Sequence, residues 1–399
     1  MTAPVSGYET WRLVPRDPLV FGDGGPVAAF TPRSTFLLPP QATVAGLVRS
    51  ALLEAAGDLS ADAARAALGV RVRGPWLVED DPEGEGRSGR LWVPAPADVV
   101  FAGGEPIAPR LVQPTEDEGV SWPPGAPPRL VQLESRGEAT GGAKTEKPAF
   151  PLWPLESVVD WGLEKGPPPV AERWNLLSPG AKHPIERESR IHVAIDPERQ
   201  AALPEALFSS GGLRLAERFH LAVEVAPPED GNLAGRRPAG LRVLGGESRT
   251  VACTVSPGPL FPGREDYQEA VQAFVDQADR PLGLRVQLLT PGDFGGWRPR
   301  WPAGVAAPLL AVAMDRPQAV SGWDLQRQRP RAVRRLVPAG TVYYLGPFDR
   351  PEPLLETWRA LWGTSLCADA AGDPATFLAP PAHDGYGLAL PLPCTLRDS

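Results

Sequence analysis

Fifty prolines and 42 glycines punctuate this 399-residue chain, and short elements are expected between them. Proline removes a backbone donor and fixes φ, and glycine weakens a helix or strand from within. A chain this rich in both approaches the composition of low-complexity disorder. The apolar residues decide otherwise. They make up 42% of the chain and recur with regular period between the Pro/Gly clusters. Such periodicity marks elements that bury a face. The expected fold class is α+β, with short elements joined by long, stiff loops. The apolar content suits one large domain or two ordinary ones.

The clearest helix runs from Thr43 to Ala56. Val44, Leu47, Val48, Ala51, Leu52 and Ala55 form one apolar stripe, with Thr43 as N-cap and Gly57 as the stop. Shorter helices are expected over 60–68, 155–163, 266–278 and 353–362. Strand patterns fall at 8–15, 70–73, 91–93, 189–196, 241–255, 282–289, 340–345 and 385–392. Another strand is expected over 213–225, after a turn at Ser209-Ser-Gly-Gly212. Strand–helix–strand order appears in both halves. It predicts two similar units, 1–185 and 186–399, each an antiparallel sheet backed by helices. The expected duplication rests on element order, since the halves share no visible identity. Residues from about 102 to 149 lack periodicity and read as an insertion of loops with at most a hairpin, without a core of its own.

The formal net charge of −8 by itself disfavours a nucleic-acid binder. Its distribution changes that picture. From Trp297 to Val337 there are eight arginines against Asp315 and Asp324, a local charge of +6. This is either a solvated charged face or the footprint of a polyanion. The three cysteines (Cys253, Cys367, Cys394) are far apart and form no CxxC pair, which argues against disulfides and zinc. No apolar run is long enough to span a membrane, and Met1–Tyr8 does not read as a signal peptide, so a reducing cytoplasm is expected.

Enzyme signatures are missing. The four histidines, His183, His192, His220 and His383, form no HExxH or HxH, and no close His–carboxylate cluster. His192 and His220 read as packing or polar-face residues of strands. Gly22-Asp23-Gly24-Gly25 is neither GxGxxG nor a Walker motif, and no GxSxG exists. The expectation is a non-catalytic chain with no cofactor and no metal.

Binding signals are stronger. Gly245-Gly246-Glu247, the run from Gly292 to Trp297-Arg298, and Gly322-Trp323-Asp324 combine glycine with aromatic or charged residues. Glycine lets backbone N–H groups approach a phosphate, tryptophan offers a stacking face, and arginine grips phosphate bidentately. The alternative is ordinary turns with packed tryptophans. Arg327, Arg329 and Arg331 alternate and would share one face of a strand. Arg49 lies off the apolar stripe, beyond a helix N-terminus that favours phosphate, and either reaches RNA or is solvated.

Taken in order, several segments resemble a known family. They are Pro15–Pro26 followed by Leu38–Arg49, Glu188–Asp196 before Leu207-Phe208, and Leu244–Glu247. Leu289–Gly292 leading to Gly296-Trp297, Ser321–Asp324, Pro338–Tyr344 and Gly385-Tyr386-Gly387 complete the set. The ordered set resembles the third Cmr subunit of type III-B CRISPR effectors, of the RAMP (repeat-associated mysterious protein) superfamily. The resemblance implies two ferredoxin-like (RRM-related) domains with long loop insertions that grip the 5′ handle of the CRISPR RNA (crRNA). It implies docking onto the large polymerase-like (cyclase) subunit and a neighbouring backbone RAMP subunit, with target RNA at the handle-proximal end. Its matching segments add Asp23, Thr43, Arg190, His192, Gly385, Tyr386 and Gly387 to the expected RNA-binding residues. The family usually carries Phe-Arg-Asp where this chain has Phe21-Gly22-Asp23, so the first loop lacks the family's arginine. Two neighbouring readings stay open: a RAMP endoribonuclease that cuts precursor crRNA, and the equivalent RAMP subunit of another type III complex. The lack of any histidine before His183 favours the non-catalytic reading.

Overall fold

Trp11 and Leu13 alternate on the strand Glu9–Pro15 and are fully buried, as expected of a strand at the centre of a sheet. The computed structural model describes residues 7–22, 36–81, 89–102, 105–107, 109–112, 129–133, 151–165, 184–226, 231–279, 281–305, 307–324, 328–369 and 378–396. Glu9–Pro15 pairs antiparallel with Thr250–Pro257 on one side and Phe219–Ala226 on the other. Arg71–Glu79, Arg90–Pro94 and Leu152–Pro154 extend the sheet beyond Phe219–Ala226, and Gly240–Val243 closes the opposite edge.

The helix Gln41–Ala56 packs against Arg71–Glu79 and Gly240–Val243, burying Val44, Leu47, Val48, Ala51 and Leu52. Each fully buried Val or Leu side chain contributes about 1.5–3 kcal/mol. Gly57 ends the helix at φ 68° and donates to the Glu54 and Leu53 carbonyls. Thr43 is not the N-cap: Pro40 holds that position, and the Thr43 N–H already bonds the Pro40 carbonyl at 3.0 Å. The helix starts earlier than its apolar stripe because Pro40, lacking an N–H, sets the boundary.

The second sheet orders its strands Leu309–Ala313, Val342–Phe348, Leu282–Leu288 and Ala389–Thr395, all antiparallel. The helices Gln268–Gln277 and Pro351–Leu361 pack on it. The four strands Glu9–Pro15, Arg71–Glu79, Phe219–Ala226 and Thr250–Pro257, numbered in chain order, lie in spatial order 4-1-3-2. Leu282–Leu288, Leu309–Ala313, Val342–Phe348 and Ala389–Thr395 repeat that order. The first set has its helix between strands 1 and 2, and the second between strands 3 and 4. Strands on both sides of residue 185 therefore share the first sheet.

Between the core strands of the first sheet the chain forms a two-stranded ribbon, Ile185–Asp196 with Ala201–Leu215. Ser209–Gly212, expected as a turn, lies inside the second ribbon strand and pairs with Glu188–Ile191. A continuous cross-strand ladder outweighs the turn preference of Ser and Gly. The reversal comes at residues 197–200 instead.

In the expected insertion, Val100–Ala102 pairs with Glu105–Ile107, and Pro109–Val112 with Leu130–Leu133. Leu111 is buried against Leu310 and Tyr344, and the Arg129 N–H bonds the Leu310 carbonyl at 2.8 Å. The insertion thus adds to the core of the second sheet, which its sparse apolar residues did not suggest. Just ahead of it, Asp98 is buried against Arg285, with Oδ2···Nε 2.6 Å and Oδ1···Nη2 2.5 Å. Tyr344 donates to the same carboxylate at 2.6 Å. Cys253, Cys367 and Cys394 are free and buried, and burial pushes their thiols up, to about 11, 12 and 12.

Candidate nucleic-acid interface

The basic segment is organised by short antiparallel pairings at one side of the second sheet. Gly292 and Val337 exchange backbone hydrogen bonds at 2.8 Å and close the segment at its base. Gln318–Val320 pairs with Arg334–Leu336, and Trp323-Asp324 with Arg329-Pro330. The Arg331 N–H bonds the Gly322 carbonyl at 2.8 Å, and the Ser321 hydroxyl bonds the Arg331 carbonyl at 2.7 Å.

Alternation on a strand sends Arg334 and Arg335 opposite ways. Arg334 turns inward, 2.8 Å from Asp293, with Nη2 3.4 Å from the Tyr386 hydroxyl and its guanidinium carbon 5.4 Å from that ring's centre. Arg335 is exposed. So are Arg298, Arg300, Arg316, Arg329 and Arg331. Among the described residues, none of these six has a carboxylate partner. Each is an exposed guanidinium in one stretch of chain, chemically suited to phosphate.

Arg316 lines a cleft of about 640 Å³, whose walls include Phe36, Leu38, Pro94, Val320, Leu336 and Tyr386. It opens between the two sheets, with Arg316 in its lining and Gln41, at the start of the long helix, in its wall. Its volume falls in the range of small-molecule or single-base pockets. Burial drives the Tyr386 phenol up to about 12, so it stays a neutral hydrogen-bonding group beside Arg334.

The structure distributes the expected site residues unevenly. Gly322, Arg298, Arg329 and Arg331 are exposed on the basic segment. Trp297 is half-buried, its carbonyl accepting from the Tyr343 hydroxyl at 2.6 Å, so the residue is tied to the second sheet. Trp323 lies on the Trp323-Asp324 strand. Asp23 and Arg327 lie outside the described residues.

Other expected contacts are occupied internally. Arg49 neither reaches outward nor sits in solvent. Its side chain is 11% exposed and holds Asp384 at 2.6 Å and the Ala67 and Val70 carbonyls at 3.1 Å. Gly246 gives its N–H to the Val20 carbonyl at 2.7 Å. A Cβ on Gly245 would sit 2.4 Å from that same oxygen, so glycine here permits close packing instead of phosphate approach. Gly385-Tyr386-Gly387 is a buried turn: the Gly385 carbonyl accepts from Thr290 and the Gly387 N–H donates to Pro291. Thr43 lies in the first turn of its helix, and Arg190 and His192 lie on the ribbon, with Arg190 paired to Glu188.

Arg316 and Arg335 were counted in the charge of the segment but not singled out. The adjacent pair Arg334-Arg335 carried a usable signal, since one of two neighbours on a strand must face out. Among the described residues, His220 and His383 meet carboxylates that sequence spacing hid. His220 Nδ1 is 3.1 Å from Asp80, and His383 Nε2 is 3.3 Å from Asp369. Burial, then the Arg12 charge, lowers His220 to about 4. Asp80 itself is held bidentately by Arg12 at 2.8 and 2.9 Å.

The profile of the family described as "CRISPR-associated protein (Cas_Cmr3)" matches residues 11–394, nearly the whole chain. The chain belongs to this family of CRISPR-associated Cmr proteins. Comparison with curated proteins returns no significant match. Among solved structures it is similar to a chain of the type III-B Cmr-beta complex bound to cognate target RNA and AMPPnP (TM-score 0.46, 14% identity, covering 84% of this chain and 86% of that one). It is also similar to a chain of the Csm1–Csm4 cassette in complex with AMPPNP (TM-score 0.33, 12% identity, covering 84% and 86%). No described helix is long and apolar enough to cross a membrane.

Proposed function

We propose that this chain is a non-catalytic, cytoplasmic RNA-holding subunit of the effector particle, gripping the crRNA 5′ handle and linking the large polymerase-like subunit to a backbone RAMP subunit. The observation that carries it is the set of exposed arginines Arg298, Arg300, Arg316, Arg329, Arg331 and Arg335 in one segment, of which Arg316 lines the inter-sheet cleft. Six exposed guanidiniums without carboxylate partners among the described residues attract a polyanion, and a chain whose net charge is −8 keeps that attraction local. The repeated 4-1-3-2 strand order is the order of a ferredoxin-like fold and supports two RAMP units, one around 9–257 and one around 282–395.

Arg316→Ala combined with Arg335→Ala weakens handle binding in the assembled particle by about 1–3 kcal/mol, the scale on which charge-assisted hydrogen bonds contribute. The measurement is crRNA affinity with handle crosslinking. If assembly fails while handle crosslinks stay normal in the remaining particles, the arginines grip a protein and the assignment falls. Incubated with repeat RNA and divalent metal, the isolated chain leaves it intact; specific cutting abolished by His220→Ala would make it an endoribonuclease.

A further inference from the structure

The strand pair Gln318–Val320 and Arg334–Leu336 has two unlike faces. Val320 lies opposite Arg334, and Gln318 opposite Leu336, so these four residues share one face. Gln318, Val320 and Leu336 line the inter-sheet cleft. Val320 and Leu336 are buried, and Arg334 is the one charge of the four. Ala319 and Arg335 make the other face, and both are exposed.

The inner charge is tied at two points. Arg334 Nη1 meets Asp293 at 2.8 Å, and Nη2 lies 3.4 Å from the Tyr386 hydroxyl. Both partners are themselves anchored. The Asp293 N–H bonds Cys367 Sγ at 3.3 Å, and its side chain is 16% exposed. Tyr386 is fully buried, and its carbonyl accepts from the Ser365 hydroxyl at 2.6 Å. A partly exposed ion pair adds little stability. What a forked guanidinium on two fixed partners supplies is direction. Holding Arg334 inward sends Arg335 outward, because neighbours on a strand face opposite ways. Asp293 is also the wrong charge for phosphate contact. It follows Gly292, which closes the basic segment at its base, and a carboxylate there repels a polyanion.

We propose that Asp293 is a positioning residue for RNA binding, which holds Arg334 inward and so aims Arg335 at the RNA; this rests on the RNA-holding reading above. The test uses the particle assembled around the full chain, with crRNA affinity measured against salt well below each variant's melting temperature. Asp293→Ala lowers affinity by roughly fivefold, the scale of one net hydrogen bond, although it removes a negative charge. It also lowers the slope of log affinity against log salt by about 0.7, one phosphate contact of single-stranded RNA. In an Arg335→Ala background the same substitution changes neither quantity, because the contact it aims is already gone. Raised affinity overturns the proposal, since Arg334, once freed, would then reach phosphate itself. Unchanged affinity overturns it, and so does lost affinity with an unchanged slope, the mark of a merely structural lesion. Failure of the RNA-holding reading would take the proposal with it but looks different: Arg316→Ala with Arg335→Ala then leaves affinity at the parent's level.

Discussion

Arg49, Arg73 and Arg285 lie inside the molecule against the carboxylates of Asp384, Glu224 and Asp98, whereas Arg316, Arg329, Arg331 and Arg335 lie on its surface without one among the described residues. The difference follows from where each strand or helix sits. Arg73 and Arg285 project from strands inside their sheets, where a bare charge costs several kcal/mol in desolvation, so each is paired. The surface arginines stand on short hairpins and their flanks, with water around them, and incur no such cost. Interior arginines hold the fold, and exterior ones are available to a ligand. Local charge counts treat both alike.

The widest separation between the two groups is expected in stability. Arg285→Ala strands a buried Asp98 and destabilises the isolated chain by about 3–5 kcal/mol, read by urea denaturation. A loss below about 1 kcal/mol, the range of an exposed pair, would erase the distinction. Arg49→Ala costs less, about 1.5–3 kcal/mol, because its partners lie nearer the surface. In particles that still assemble, it leaves handle affinity unchanged. Weakened RNA binding with unchanged melting would move Arg49 into the exterior group.

Single exterior substitutions act in the reverse sense. Arg329→Ala or Arg331→Ala changes stability by no more than about 0.5 kcal/mol. Each lowers the slope of log affinity against log salt by about 0.7 if it neutralises one phosphate of single-stranded RNA. Salt titration of the assembled particle measures this. An unchanged slope for both would show that the hairpin does not touch the backbone of the RNA.

Much of the fold could be read from local pattern. The stripe Val44–Leu52 with Gly57 behind it specified a helix, and Pro353 with Gly363 bracketed another. Local pattern could not place strands that meet across more than 200 residues, such as Glu9–Pro15 with Thr250–Pro257. For the same reason Gly385-Tyr386-Gly387 and Gly245-Gly246 looked like ligand loops, although Gly385 and Gly245 serve close approach to Gly74 and Val20. Leu111 looked like part of a bare insertion because its partners, Leu310 and Tyr344, lie about 200 residues on. The basic surface was legible in outline, since eight arginines cannot be neutralised by two nearby aspartates. Which of them face outward depended on the pairing of Ala319 with Arg335 and of Val320 with Arg334.

Arg12 stands between the two groups, about one-third exposed and held bidentately to Asp80, with His220 buried behind them. It supports an effect visible only in acid. Burial and the Arg12 charge hold His220 near 4 in the folded chain, below the ordinary 6.5. The unfolded chain therefore binds the proton first, and stability rises with pH across that interval. The contribution is fully present above about 6.5 and is lost progressively as pH falls toward 4. Replacing His220 with Gln removes this component, so the variant's urea midpoint falls less steeply than the parent's between those two values, while near pH 7 the slopes agree. Titration of the His220 ring by NMR gives the direct check. A folded-state value near 6.5 would mean that neither burial nor Arg12 governs the imidazole, and Arg12 would then belong with the exterior arginines.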